Sequence, residues 1–154
     1  MATTFGPTFG DEIRNAGLMG LPFSWGADGS ISGRENLTTE QNATLDGVIA
    51  AHDPALTEVP DLISRRQCYQ AWAQQGVITE AEALDAVSSG KIPASFEAGI
   101  VAAPADKQLG LRMALAGNAT FSRRTQTTKD FGVAMNWTPR QIDDTWRLAT
   151  TLVG

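Results

Sequence analysis

The chain has 154 residues, of which 19% are charged, and its formal net charge is −5. This length predicts one domain or one domain with an arm, and the acidic balance argues against a general polyanion binder. The single Cys and single His exclude an intramolecular disulfide framework, a Cys-based zinc cluster and a two-His metal site. The composition therefore indicates a protein that is not an enzyme and that binds no cofactor or metal.

The N-terminal region, residues 1–60, carries most of the acidity, with two basic residues against eight acidic ones. Residues 61–154 hold ten basic and nine acidic residues. A segment with a proline near each end, residues 53–60, reads as a linker between the two regions. We therefore predict an N-terminal arm and docking region over 1–60 and a helical module over 61–154.

The first predicted elements are an extended arm over residues 1–8 and a short helix over 9–16. Residues 22–33 alternate apolar and small residues around Asp28-Gly29, which predicts a β-hairpin. Oxygen-bearing side chains at Asp28 and Ser30 also resemble the start of a calcium loop. Arg34 and Thr39 stand where that loop needs ligands, so a hairpin turn is the preferred interpretation.

The arm contains Phe5 and precedes Phe9, and alone it cannot bury either ring. Aromatic side chains dominate the energetics of protein interfaces. We therefore expect the N-terminal region to dock on a partner, and the predicted docking residues are Phe5, Phe9, Phe23 and Trp25.

Helix is the expected structure of the rest of the chain, because four capping boxes mark helix starts. They are Thr38-x-x-Gln41, Ser64-x-x-Gln67, Thr79-x-x-Glu82 and Thr138-x-x-Gln141. The predicted helices span 39–51, 65–75, 80–89, 93–102, 106–117, 123–135 and 139–152. The fold class is therefore mainly α, a C-terminal bundle of short helices that follows a Gly-rich arm with a short helix and a β-hairpin.

Apolar residues at helical spacing predict which side of each helix faces the core. The predicted inward faces are Leu45/Val48/Ile49, Tyr69/Trp72/Ala73, Leu84/Val87, Phe96/Ile100, Leu109/Met113/Ala116 and Ile142/Trp146/Ala149. Trp72, Trp137 and Trp146 are the expected centre of this core. No run of apolar residues approaches the roughly 20 that a membrane span needs, so we expect neither membrane insertion nor a targeting segment.

Several residues carry an alternative chemical interpretation. Arg123-Arg124, followed by two predicted helices, suggests a DNA-reading helix-turn-helix, but Asp143 and Asp144 would face phosphate badly. His52 stands at a predicted helix end, where an imidazole suits the helix dipole. Cys68 shares a helix side with Trp72, which favours a buried thiol. An odd cysteine can instead pair with another chain, so an inter-chain disulfide at Cys68 stays open.

Two stretches of the sequence, residues 17–54 and 62–153, resemble known proteins of tailed bacteriophages. The first, with Gly-Leu-Pro-Phe-Ser-Trp-Gly-Ala-Asp-Gly and Ala-Ala-His-Asp-Pro, resembles a segment of small tail proteins. The second resembles a helical module of tail-fibre and neighbouring proteins, through Ile-Ser-Arg-Arg-Gln, Gly-Lys-Ile-Pro-Ala-Ser-Phe and Trp-Thr-Pro-Arg-Gln-Ile-Asp-Asp. Residues 121–130 depart from that module, which leaves the packing of this helix open.

The resemblance implies a non-enzymatic structural protein of the virion tail, either a short tail fibre or a fibre- or baseplate-associated component. Other tail or baseplate proteins are the implied partners, and a host surface receptor is a further candidate. Fibre proteins are usually trimers, so a homotrimer is expected by analogy. Nucleic acid and membrane are not expected partners. A tail-fibre assembly chaperone and a small DNA-binding regulator are the alternative functions.

Overall fold

Helix is the dominant structure of residues 4–153, the part of the chain that the computed structural model describes. All four predicted capping boxes form: in each, the Ser or Thr side chain accepts from the backbone three residues later, and the Gln or Glu returns the bond. These reciprocal bonds satisfy backbone donors that a helix start otherwise leaves unpaired. The predicted mainly-α fold class is confirmed.

The chain divides into two compact units, and the division falls between Glu58 and Val59, close to the boundary expected after residue 60. The N-terminal unit contains α1 (Phe9–Asn15), β1 (Ser24–Trp25), β2 (Ile31–Ser32), a 3-10 turn (Arg34–Asn36) and α2 (Thr39–Ala51). β1 and β2 pair antiparallel, with Trp25 opposite Ile31, so the predicted hairpin is confirmed. In its turn, the Asp28 carboxylate accepts hydrogen bonds from Ser30.

The C-terminal unit contains two short strands and six helices over its described residues. They are β3 (Leu62–Ser64), α3 (Arg65–Gln74), α4 (Glu80–Ser89), α5 (Ala94–Ala102), α6 (Ala105–Gly117), β4 (Thr120–Ser122), α7 (Gln126–Ala134) and α8 (Pro139–Thr151). Within residues 4–153 we find no helix long and apolar enough to cross a membrane.

The strands β3 and β4 form an antiparallel pair that the sequence analysis did not predict. Ile63 lies opposite Phe121, and both side chains are buried. The sequence predicted a helix over 123–135, which would begin immediately after β4. The helix begins at Gln126 instead. Its N-cap is Thr125, whose hydroxyl accepts from the Thr128 N–H. Residues 121–130, where the sequence departs from the module that it resembles, therefore contain the end of β4, a turn and the start of α7.

Each unit has its own apolar core. The core of the N-terminal unit consists of Phe5, Phe9, Ile13, Leu18, Leu37 and Leu45. In the C-terminal unit, the core includes Tyr69, Trp72, Phe96, Ile100 and Trp146, and Trp137 packs against it partly buried. Trp72 and Trp146 are core residues as predicted, whereas Trp137 lies at the edge of the core.

Two of the predicted inward faces are wrong. Leu84 is 71% exposed, while the smaller Ala83 and Ala86 face the core from α4. On α6, Leu109 and Met113 are 69% and 64% exposed, and the buried pair is Leu111 and Leu115 instead. Both helices carry two apolar stripes at helical spacing. Periodicity alone does not choose between two such stripes, because each satisfies the same pattern.

The first testable consequence concerns Gly6. A Cβ added at Gly6 would overlap the Pro54 carbonyl, whereas one added at Gly47, within α2, would meet open space. We predict that Gly6→Ala destabilises the N-terminal unit, because the overlapping neighbour is backbone and cannot move aside cheaply. Gly47→Ala is the matched control and should stabilise the same unit by about 0.5–1 kcal/mol.

Urea unfolding monitored by amide hydrogen exchange of α1 and α2 would measure both effects in the unit that carries the substitutions. Equal stability of Gly6→Ala and the wild type would contradict the close approach of residue 6 to Pro54.

Candidate functional site

The four predicted docking aromatics lie together, but two of them are core residues. The rings of Phe5 and Phe9 stack with centroids 3.9 Å apart and an interplanar angle of 5°, and both side chains are buried. They need no partner to be buried, because α1, α2 and the hairpin of the same unit supply the apolar surface that the arm alone lacks. Phe5 and Phe9 are therefore not available as surface docking residues. Residues 1–3 of the predicted arm lie outside the described residues.

Phe23 and Trp25 are half-buried and pack against the same core. Their ring centroids are 5.7 Å apart, and Trp25 also meets Phe9 edge to face at 5.7 Å. Edge-to-face contacts of this kind stabilise a cluster beyond the area that they bury. Of the four predicted docking residues, these two keep surface that a partner can reach.

His52 has a structural role that the sequence analysis missed. Its side chain is fully buried, and its Nε2 accepts a hydrogen bond of 2.9 Å from the Gly6 backbone N–H. Nδ1 lies 2.8 Å from the Glu12 carboxylate, which accepts. This pattern requires the neutral imidazole with its proton on Nδ1.

The His52 ring also meets Phe5 and Phe9 edge to face, at 5.9 and 5.1 Å. His52 thus ties residues near the start of the chain to α1 and to the end of α2. Because Gly6 and His52 are 46 residues apart, no local pattern could have revealed the contact.

The Cys68 thiol is completely buried in α3. Burial raises the pKa of this thiol well above its ordinary value, so the reactive thiolate is disfavoured. An inter-chain disulfide would require Cys68 to leave the core, which contradicts that hypothesis for the folded chain. The alternative of a buried thiol is the one that the structure supports.

A groove with a volume of about 430 Å³ lies between α3 and α4 in the C-terminal unit. We call it the α3–α4 groove. Its lining residues are Arg66, Gln70, Ala73, Gln74, Glu80, Ala83, Leu84 and Val87. The α3 contributors Arg66, Gln70 and Gln74 recur every fourth residue, so they form one stripe along that helix.

The middle of the α3–α4 groove is apolar and accessible. Leu84 is 71% exposed and Val87 is 41% exposed, and both stand on the α4 wall. Arg66 and Glu80 bring a cation and an anion to the same groove, and neither forms an ion pair within the described part of the chain. An apolar centre with polar surroundings is the anatomy of a protein-contact surface.

The two helices that form the groove are held together at one end by a further contact. The Arg65 guanidinium donates to the Ala86 carbonyl at 2.6 Å, near the C-terminal end of α4. It also lies 6.0 Å from the centre of the Tyr69 ring. α4 ends at Gly90, which adopts a left-handed conformation with φ of 76°. A cation at a helix C-terminus is favourable. The hydrogen bond from Arg65 to Ala86 holds the start of α3 against the end of α4.

Arg123, one of the two arginines that suggested DNA reading, is engaged with a carboxylate of the same unit. Arg123 Nε lies 2.5 Å from Asp143, and both side chains are largely buried. Arg147 contacts Asp144 at 2.9 Å, and Arg140 lies 3.9 Å from the same residue. These pairs are intramolecular salt bridges, and they engage three arginines on or beside α8.

Among residues 4–153 there is no group of three or more His, Cys, Asp or Glu side chains placed to hold a metal ion. Glu82, in the first turn of α4, serves the helix start instead. The backbone N–H of Thr79 donates to Glu82 at 2.9 Å, and this bond lowers the pKa of the Glu82 carboxyl.

Comparisons of the chain with protein-family models, with curated proteins and with solved structures find no match.

The exposure of Leu84 gives a second prediction. Leu84→Glu should change the free energy of unfolding of the C-terminal unit by no more than about 0.5 kcal/mol, because the side chain makes no core contact. Leu111→Ala, at a buried position of α6, should cost about 2–5 kcal/mol. Urea unfolding of the two variants, at a protein concentration low enough to keep the chain monomeric and followed by tryptophan fluorescence, measures both values. A large loss of stability in Leu84→Glu would show that Leu84 belongs to the core.

The burial of Cys68 gives a third prediction. In the native protein, a maleimide reagent should leave Cys68 unmodified, because the thiol is buried and protonated. Modification should be complete after unfolding in urea. Intact-mass spectrometry of both samples, with a non-reducing gel of the native protein, would check this, and a covalent dimer on that gel would restore the inter-chain disulfide.

Proposed function

We propose that this chain is a structural protein of a tailed-phage virion, in a short tail fibre or in a fibre- or baseplate-associated component, and that it acts by protein–protein contact. The observation that carries the proposal is the α3–α4 groove, in which exposed Leu84 and Val87 lie between polar and charged side chains. A surface of this composition is suited to a partner protein.

The phage assignment is supported by the resemblance of residues 17–54 and 62–153 to tail proteins. The resembling strings are mostly caps and turns, and those turns build the two units described above. The Ser64 and Thr138 capping boxes, for example, start α3 and α8. Such strings identify a fold, so the proposal of a tail protein depends on the resemblance and the proposal of contact depends on the groove.

The proposed division of labour follows the two units. The N-terminal unit attaches the chain to other tail or baseplate proteins, with Phe23 and Trp25 as the aromatic residues of the predicted set that retain exposed surface. The C-terminal unit packs with neighbouring chains through the α3–α4 groove. The chain would be assembled in the host cytoplasm and would then reside in the virion tail.

Mass spectrometry of gradient-purified particles of the phage that encodes this chain tests the proposal. We expect the chain in the particles, at a constant ratio to the other tail proteins across independent preparations. The cleared lysate serves as the control for expression. A chain that is abundant in the lysate and absent from particles would contradict a virion role and would indicate the assembly-chaperone alternative.

A further inference from the structure

The α3–α4 groove has a cation at one end and an anion at the other. Arg66 belongs to the first turn of α3, and the neighbouring Arg65 donates to the Ala86 carbonyl at 2.6 Å. The start of α3 therefore lies beside the end of α4. Glu80 is the first residue of α4, and six residues of helix, or about 9 Å, separate it from Ala86.

The connection between the two helices leads to the same conclusion. α3 ends at Gln74 and α4 begins at Glu80, so the short link between them keeps these two residues at one end of the groove. The two helices are consequently antiparallel neighbours. Arg66 marks one end of the groove and Glu80 marks the other. Leu84 lies on the α4 wall between them, and Val87 lies at the Arg66 end.

We propose that the occupant of the α3–α4 groove is the same groove of a second copy of this chain, related by a two-fold axis. In a two-fold interface a residue contacts a different residue of the partner, and the reverse contact occurs by symmetry. An antiparallel approach of two α4 helices places Arg66 of each copy at the Glu80 end of the other. The groove is in this sense complementary to itself in charge.

The apolar wall fits the same arrangement. With the charged ends paired across the axis, Leu84, which lies between Glu80 and Ala86 on α4, meets Leu84 of the other copy near the axis, and its exposed area is removed from water. The contact is enlarged by Gln70 and Gln74, whose amides both donate and accept hydrogen bonds. Each favourable contact occurs twice, which is why a small self-complementary patch can support a dimer.

This inference rests on the proposed function only in treating the groove as a protein contact. It differs from the homotrimer expected by analogy, because a two-fold contact closes at two copies. Association in solution and presence in virions are separate measurements, so one can fail while the other holds.

Sedimentation velocity of the full chain over a range of concentrations tests the proposal. The wild type should sediment as a monomer–dimer equilibrium. Leu84→Glu should weaken the dimer at least about 100-fold, since it removes two buried leucines from the interface. Leu109→Glu is the matched control, because Leu109 is equally exposed but lies on α6, and it should leave the dimer unchanged.

A charge-reversal set tests the orientation. Arg66→Glu and Glu80→Arg should each weaken the dimer about tenfold, because each creates two like-charged contacts. The double variant R66E/E80R restores opposite charges across the axis, and it should recover most of the wild-type affinity. Circular dichroism and thermal unfolding of each variant establish that the fold is intact.

Four outcomes would overturn the proposal. They are a wild-type monomer at every soluble concentration, a wild-type trimer, a dimer lost in Leu109→Glu but retained in Leu84→Glu, and a double variant as weak as the single ones. The third outcome would move the interface to the exposed face of α6, and the fourth would exclude the antiparallel pairing of the charged ends.

Discussion

The Trp72 indole lies where aromatic side chains from several parts of the C-terminal unit converge. Its ring centroid is 5.0 Å from that of Phe96 on α5, 5.6 Å from Phe131 on α7 and 6.0 Å from Trp137, which precedes α8. Because the side of α3 that carries Trp72 packs into the core, the stripe that carries Gln70 and Gln74 faces the groove. The α3–α4 groove is therefore a consequence of how α3 is anchored.

The helices were predictable because short local sequence patterns determine where they begin. A Ser or Thr with a Gln or Glu three residues later specifies a start by hydrogen bonds that span four residues, as Thr79 and Glu82 do. The β3–β4 pair was not predictable in this way. It joins Ile63 to Phe121, and three-residue strands carry too little alternation to be recognised beside helical segments.

The candidate site was harder to predict than the fold, for a reason that Leu84 illustrates. A leucine and a valine three residues apart predict a core face, yet α4 turns Ala83 and Ala86 inward. Small side chains permit a close approach to α3, and the larger ones are left at the edge of the contact. Conversely, the sequence placed Phe5 and Phe9 on a surface. Their contacts with His52 join distant parts of the chain, so no local pattern reveals that the two rings are buried. In both cases the deciding information is tertiary.

The hydrogen bond from Arg65 to the Ala86 carbonyl has a consequence for the rate and the entropy of association. It holds the start of α3 against the end of α4. In the proposed dimer, docking would therefore require little rearrangement of the backbone, and the entropic cost of ordering the surface would fall mainly on a few side chains, such as Arg66 and Gln74. Recognition would then be close to a rigid-body encounter, in which the opposite charges at the two ends orient the second copy before contact.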